Sequence, residues 1–324
     1  MKLSAHIFLI LALVVLSGCK KEVRDTSHDP VPPPKPVSAL EQNLLELYEA
    51  ETVADSGQPS YTQSKKTVVN DTDTIPDFAK AFDDDDLAVV IGIEFYQTLP
   101  PVEFSANDAD LVRQYLAKMG FAERNIRYLA NEKATDSAIR VSIEKWLANN
   151  VKPTSRVFFF YSGHGSPEPT TGNAYLVPYD GDPNYLADTS YSLTKLYDNL
   201  GRLPASEVIV VIDACFSGIG GRSVLAKGVR AITIRKKEPK VSANMVILAA
   251  AQDKEIATSY PEKQHGLFTY HFLKALKDGK KTIPEVYEYL KPLVEDEARR
   301  QNKSQTPRLS PTPEETAGRF TLVR

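Results

Sequence analysis

Arg156-Val157-Phe158-Phe159-Phe160-Tyr161 runs straight into Ser162-Gly163-His164-Gly165-Ser166, and Val208-Ile209-Val210-Val211-Ile212 runs straight into Asp213-Ala214-Cys215-Phe216-Ser217-Gly218. Neither apolar run alternates with polar residues, as a half-exposed strand would. Both predict strands covered on two faces, the pattern of a parallel sheet between layers of helices. The same reading makes a strand of Leu87–Ile93 (LAVVIGI) and another of Met245–Ala249, with a shorter one at Ile126–Ala130. Between them, apolar residues recur at helical spacing. Leu111, Tyr115, Leu116 and Met119 predict a helix over 106–119 that stops at Gly120, and Ile139, Ile143, Trp146 and Leu147 predict one over 136–149. Further helices are expected near 193–200, from Phe268 and from Pro284, and Phe320–Val323 is expected as an edge strand. Strands alternating with helices imply an α/β fold with a mostly parallel, six-stranded sheet and helices on both faces.

In open α/β sheets, ligands bind beyond the carboxyl ends of the strands. The two quoted loops leave such ends with a histidine and a cysteine. If the strands are neighbours, imidazole and thiol emerge together. An ordinary thiol is only a few per cent thiolate at pH 7, and a histidine beside it can take its proton. Taken singly, Cys215 reads as a small buried hydrophobe and His164 as a loop-capping residue. Together, with glycines flanking His164 and Gly218 three residues after Cys215, they read as a nucleophile and its base. One such Cys and one His do not fill a zinc site. His6 and His28 lie far upstream, His265 opens a late loop, and His271 reads as a packing residue on a helix.

These motifs, with the intervening NAYLVPYDGDP and the later HGLFTYHFLKAL, resemble the caspase-like cysteine peptidases, the metacaspase and bacterial caspase-homologue branch above all. The resemblance runs from about Leu87 to Leu309. It implies an endopeptidase in which Cys215 is the nucleophile, His164 the general base and acid, and the N–H groups of Cys215 and Gly165 the oxyanion hole. Such donors contribute ~3–4 kcal/mol each to the transition state. Asp108 and Ser162 match pocket positions of metacaspases, and Asp213 lies two residues before the nucleophile. Carboxylates there favour Arg or Lys before the scissile bond. Asp108 also reads as a helix N-terminal charge, and Asp213 as a hydrogen-bonded structural carboxylate.

Arg222–Lys240 holds seven basic residues against Glu238, where relatives are often cut into two subunits, so autoprocessing in 222–240 is expected. The plainer alternative is an exposed basic loop. Many metacaspases bind calcium partly through an aspartate beyond the nucleophile. Here that stretch reads Ile219-Gly220-Gly221-Arg222, so no cofactor is expected, with Asp180 and Asp182 the acids left for a cation.

Upstream, Lys2 and the ten-residue apolar run Ile7–Leu16 form a secretory signal too short to span a membrane. Leu16-Ser17-Gly18-Cys19 resembles a bacterial lipobox, implying cleavage after residue 18 and lipidation of Cys19. Lys20 differs from the aspartate that retains lipoproteins in the inner membrane, which points to the outer membrane. Residues 19–82 read as a tether. Pro30–Pro36 is a polyproline spacer, Ser38-Ala39-Leu40-Glu41 is a capping box for a short amphipathic helix, and 52–80 is polar. The run Asp83-Asp84-Asp85-Asp86 opens the peptidase domain, 83–324, as a solvated charge run. The 324 residues are 42% hydrophobic and 25% charged, within the globular range. A balance of 39 basic to 42 acidic residues argues against a nucleic-acid partner. The expected partners are protein or peptide substrates with basic residues, and a membrane reached through lipid. The competing reading is a catalytically silent caspase-fold binding module at the cell envelope.

Overall fold

A computed structural model describes residues 70–78, 84–168, 171–218, 222–225, 241–252 and 255–323. All of them belong to the unit spanning Lys66–Arg324. The signal, Cys19, the polyproline segment and the helix expected near Leu40 lie outside the described residues, as does the basic loop beyond Leu225.

Six strands form the central sheet in the order β11-β8-β7-β3-β1-β2. They are β1 (Leu87–Gly92), β2 (Ile126–Ala130), β3 (Arg156–Ser162), β7 (Glu207–Asp213), β8 (Met245–Ala249) and β11 (Arg308–Ser310). All pairs are parallel except β11 with β8. Every residue of β1 and β3 is buried, as their unbroken apolar runs require. Short antiparallel strands lie in the connections: β4 (Gly165–Pro167), β5 (Ala174–Leu176) and β6 (Tyr191–Ser192) form one small sheet, and β9 (Ser259–Tyr260) with β10 (His265–Gly266) a second.

Alternate strand residues feed two cores. Ala88, Val90, Phe158, Phe160, Val211 and Leu248 pack with helices α1 (Ser105–Lys118), α4 (Leu267–Lys277) and α5 (Ile283–Arg300). Val89, Ile91, Phe159, Val210 and Ile212 pack on the other face with α2 (Asp136–Val141) and α3 (Leu193–Gly201). The helix expected over 136–149 is not uniform. After Val141 it widens into π-type turns over Ser142–Leu147, and Ser142 Oγ bonds back to the Ala138 carbonyl at 2.8 Å. Helix α5 starts at a capping box of Thr282 and Glu285, with Pro284 in the first turn.

Two expectations are corrected. The antiparallel edge strand is Arg308–Ser310, not Phe320–Val323. Phe320 adopts a left-handed φ of 58°, and the backbone there is claimed by side chains instead. Glu207 accepts the N–H groups of Phe320 and Thr321, and Arg156 donates to the Thr321 and Leu322 carbonyls. Nor is the acidic run merely solvated. Asp84 pairs with Arg124 and Asp85 with Lys152. Asp86 is fully buried against Arg156, whose Nε donates to its carboxylate at 2.8 Å. The parallel register of Leu87 with Val157 brings these two flanking residues together.

Within the stretch read as tether, a 3₁₀ turn at Asp71–Asp73 packs on the domain. Tyr115 donates to the Thr72 carbonyl at 2.8 Å and Tyr270 to Asp71 at 2.9 Å.

Candidate active site

The register of β3 on β7 sets Ser162 opposite Asp213 and makes the loops carrying His164 and Cys215 neighbours. Gly165 is needed because the two loops touch. A Cβ built there would lie 2.4 Å from the Cys215 carbonyl oxygen and 2.5 Å from the Phe216 ring.

His164 is 2% exposed. Its Nε2 lies 2.9 Å from the Pro100 carbonyl. A carbonyl can only accept, so the proton of the neutral ring sits on Nε2 and the lone pair on Nδ1. Nδ1 is buried and has no hydrogen-bond partner among the described residues. The backbone is held as well: the His164 N–H donates to Tyr96 Oη at 2.6 Å, and its carbonyl accepts from Tyr161 Oη at 2.7 Å. Burial lowers the imidazole's pKa; the Pro100 and Arg222 carbonyls oppose that, and the Arg222 guanidinium adds to it. The ring is therefore neutral at pH 7, the state a base requires.

Cys215 is 1% exposed. Its thiol donates to the Glu255 carbonyl at 2.8 Å and lies 3.0 Å from Ser217 Oγ. Glu255 is itself pinned, its carboxylate accepting from Ser304, Thr306 and the N–H of Gln252. Among the described residues no hydrogen bond joins the thiol to His164.

Asp108, Ser162 and Asp213 converge on one buried cluster. Ser162 Oγ donates to Asp108 Oδ2 at 3.1 Å, and Thr269 Oγ1 donates to Asp213 Oδ2 at 2.6 Å. Burial raises the Asp213 pKa, Arg222 draws it down and Asp108 adds to the rise. Four participants were not anticipated in this role. His265 Nδ1 lies 2.8 Å from Asp108 Oδ1, and the Gly266 N–H donates to the same carboxylate at 3.1 Å. Thr269 holds Asp213. Arg222, along the chain one cation of the basic loop, is 2% exposed in the fold and paired with both aspartates. The HGLFT stretch was visible in the sequence as a motif. Tyr96, Pro100 and Glu255 contribute a hydroxyl, a carbonyl and a carbonyl, groups that no residue pattern announces.

Asp180 accepts the Asp136 N–H at the start of α2, and Asp182 caps its own turn by accepting the Asn184 N–H. Among the described residues no group of three or more His, Cys, Asp or Glu is arranged to hold a metal. His271 is half-buried beside Tyr260, and its desolvation pushes its pKa down to about 4.

Comparison with known proteins agrees with this architecture. The chain is 30% identical to metacaspase-1 of Candida albicans over 103 residues, covering 30% of this chain and 23% of that one. It is 26% identical to metacaspase-1 of Lodderomyces elongisporus over 148 residues, covering 40% and 32%. It thus spans about a quarter to a third of the length of these relatives. Among solved structures, the Geobacter sulfurreducens protein GSU0716 superposes with a TM-score of 0.53 at 19% identity, over 74% of this chain and all of that one. The caspase domain family matches residues 85–317, from the first buried strand to beyond β11, and this chain belongs to that family.

Proposed function

We propose that the domain is a cysteine endopeptidase working through a Cys215–His164 dyad. The observation that carries this reading is the union, at the carboxyl ends of two paired strands, of a thiol, an imidazole with its lone pair on Nδ1, and a Gly165 N–H that already holds a peptide carbonyl at 2.9 Å. The thiol proton passes to His164 Nδ1 as sulfur attacks the scissile carbonyl. The N–H groups of Gly165 and Cys215 stabilise the oxyanion, and His164 returns the proton to the leaving amine. Water then hydrolyses the thioester. For this the thiol must leave the Glu255 carbonyl and turn toward His164.

The buried carboxylates of Asp108 and Asp213 support selection of Arg or Lys before the scissile bond. A substrate aspartate would meet repulsion there. Cleavage of the chain itself within 222–240 follows from the same preference, and attachment to the bacterial envelope through lipid on Cys19, facing proteins and peptides as substrates, completes the reading. The test is hydrolysis of matched Arg, Lys and Asp fluorogenic peptides. The Arg peptide should be cut fastest, Cys215→Ala should abolish turnover, and His164→Ala should lower it by about 10²–10⁴-fold. Equal turnover in Cys215→Ala overturns the proposal; a correctly folded wild type that cuts nothing favours the binding-module reading.

A further inference from the structure

Arg222 lies seven residues after Cys215, yet its side chain ends between the two carboxylates. Nη1 donates to Ser162 Oγ at 2.7 Å and to the Asp213 carbonyl at 3.2 Å, and it lies 3.1 Å from Asp213 Oδ1. Nη2 donates to Asp108 Oδ2 and to the Glu103 carbonyl, both at 3.4 Å. The main chain is engaged too. The Arg222 carbonyl accepts the Gly165 N–H at 2.9 Å, and the Val224 N–H donates back to the Gly165 carbonyl at 3.0 Å. Ser166 Oγ fastens the Val224 carbonyl at 2.8 Å, and Ser223 Oγ accepts the Gly218 N–H at 2.9 Å.

A side chain in the carboxylate pocket and a carbonyl on an oxyanion donor are the two contacts a bound substrate residue must make at once. We propose that Arg222 is a tethered substrate mimic, that the arrangement described is a self-blocked state, and that the pocket's ligand is the guanidinium of arginine rather than the ammonium of lysine. This rests on the peptidase reading above. Three observations support it. The thiol is turned to Glu255 and not to the dyad partner, as expected where the site is filled but idle. The fork is shared by opposite walls, Ser162 and Asp213 taking one nitrogen while Asp108 and Glu103 take the other. A single ammonium nitrogen cannot span acceptors so divided. Gly266 closes the third side so tightly that a Cβ there would lie 2.5 Å from Arg222 Nη2 and 2.4 Å from Asp213 Oδ2. The pocket is shaped to a planar group. Arg222 Nε is left buried without a partner, so the fit is incomplete and the occupant replaceable.

The test separates occupancy from chemistry. In the full-length Cys215→Ala chain, binding of N-propylguanidinium and n-butylammonium, the side-chain analogues of arginine and lysine, is measured by calorimetry with Arg222 intact and with Arg222→Ala. The expected result is binding of the guanidinium only in Arg222→Ala, about tenfold or more tighter than the ammonium. Equal binding with and without Arg222, no binding to the variant, or no preference for the guanidinium overturns the proposal. Because Arg222→Ala leaves two buried carboxylates unpaired, a milder variant is read in parallel. Arg222→Lys keeps the charge but loosens the plug, so an arginyl acyloxymethylketone should label its Cys215 about threefold or more faster than wild type; where wild type is labelled, labelling of the variant no faster overturns the proposal. Loss of labelling in every chain, with guanidinium binding retained, would defeat the peptidase reading alone.

Discussion

His164 owes its proposed role as base to which of its nitrogens is occupied. The Pro100 carbonyl holds Nε2–H, leaving Nδ1 as the lone pair, and burial depresses the pKa. A base with a lowered pKa stays unprotonated further into acid. The acid limb of kcat/KM is therefore expected below the ordinary histidine value of ~6.5, measured on an arginyl peptide in buffers of constant ionic strength. A limb above that value would mean the ring is stabilised in its charged form. Asp86 carries a different burden. It is fully buried and neutralises Arg156, which in turn fastens the Thr321 and Leu322 carbonyls. Removing one partner strands a buried charge, so Asp86→Ala is expected to cost about 3–5 kcal/mol in urea unfolding. A loss under about 1 kcal/mol would place the pair in the range of exposed ion pairs.

Among the elements, β10 and the start of α4 do more for the pocket than their length suggests. His265 and the Gly266 N–H hold Asp108, and Thr269, one turn into the helix, holds Asp213. The pocket floor therefore comes from the carboxyl ends of β3 and β7 and its wall from a two-residue strand. Gly266→Ala should push a methyl into the Asp213 carboxylate. The expected outcome is a fall of about tenfold or more in arginyl-peptide kcat/KM, with the far-UV circular dichroism unchanged. Unaltered turnover would show that the wall yields. The strands β1, β3, β7 and β8 were legible because a strand buried on both faces must be apolar throughout. The edge strand was not. Arg308–Ser310 is short and half polar, and Phe320–Val323 looks more strand-like in composition. Backbone capture by Glu207 and Arg156 decides between them, and that contact joins residues more than a hundred positions apart.

For the molecule as a whole, the described residues lie between 70 and 323, and no helix among them is long and apolar enough to cross a membrane. The membrane attachment proposed above is through lipid on Cys19. Globomycin, which blocks lipoprotein signal cleavage, should leave a larger precursor, and Cys19→Ala should release the protein from the membrane fraction. Unchanged size and fractionation in both cases would remove the lipid anchor from the proposal. The packing of Asp71–Asp73 on α1 and α4 fastens the chain to the domain at its amino-terminal end, upstream of the matched region.

Local pattern sufficed for the layered α/β sheet and for its buried strands, and it singled out His164 and Cys215; that their loops are neighbours is decided by the pairing of β3 with β7. Hydrophobic runs of period one and glycine-flanked polar residues are local signals, and parallel strand order brings their loop ends together. The three-dimensional fold decided which groups meet inside the pocket. Arg222 reads along the chain as one cation of a solvated basic loop; in space it is buried between Asp108 and Asp213. The reason is electrostatic. Two carboxylates withdrawn from water recruit the nearest cation that geometry allows, and nearness there is set by folding rather than by sequence separation.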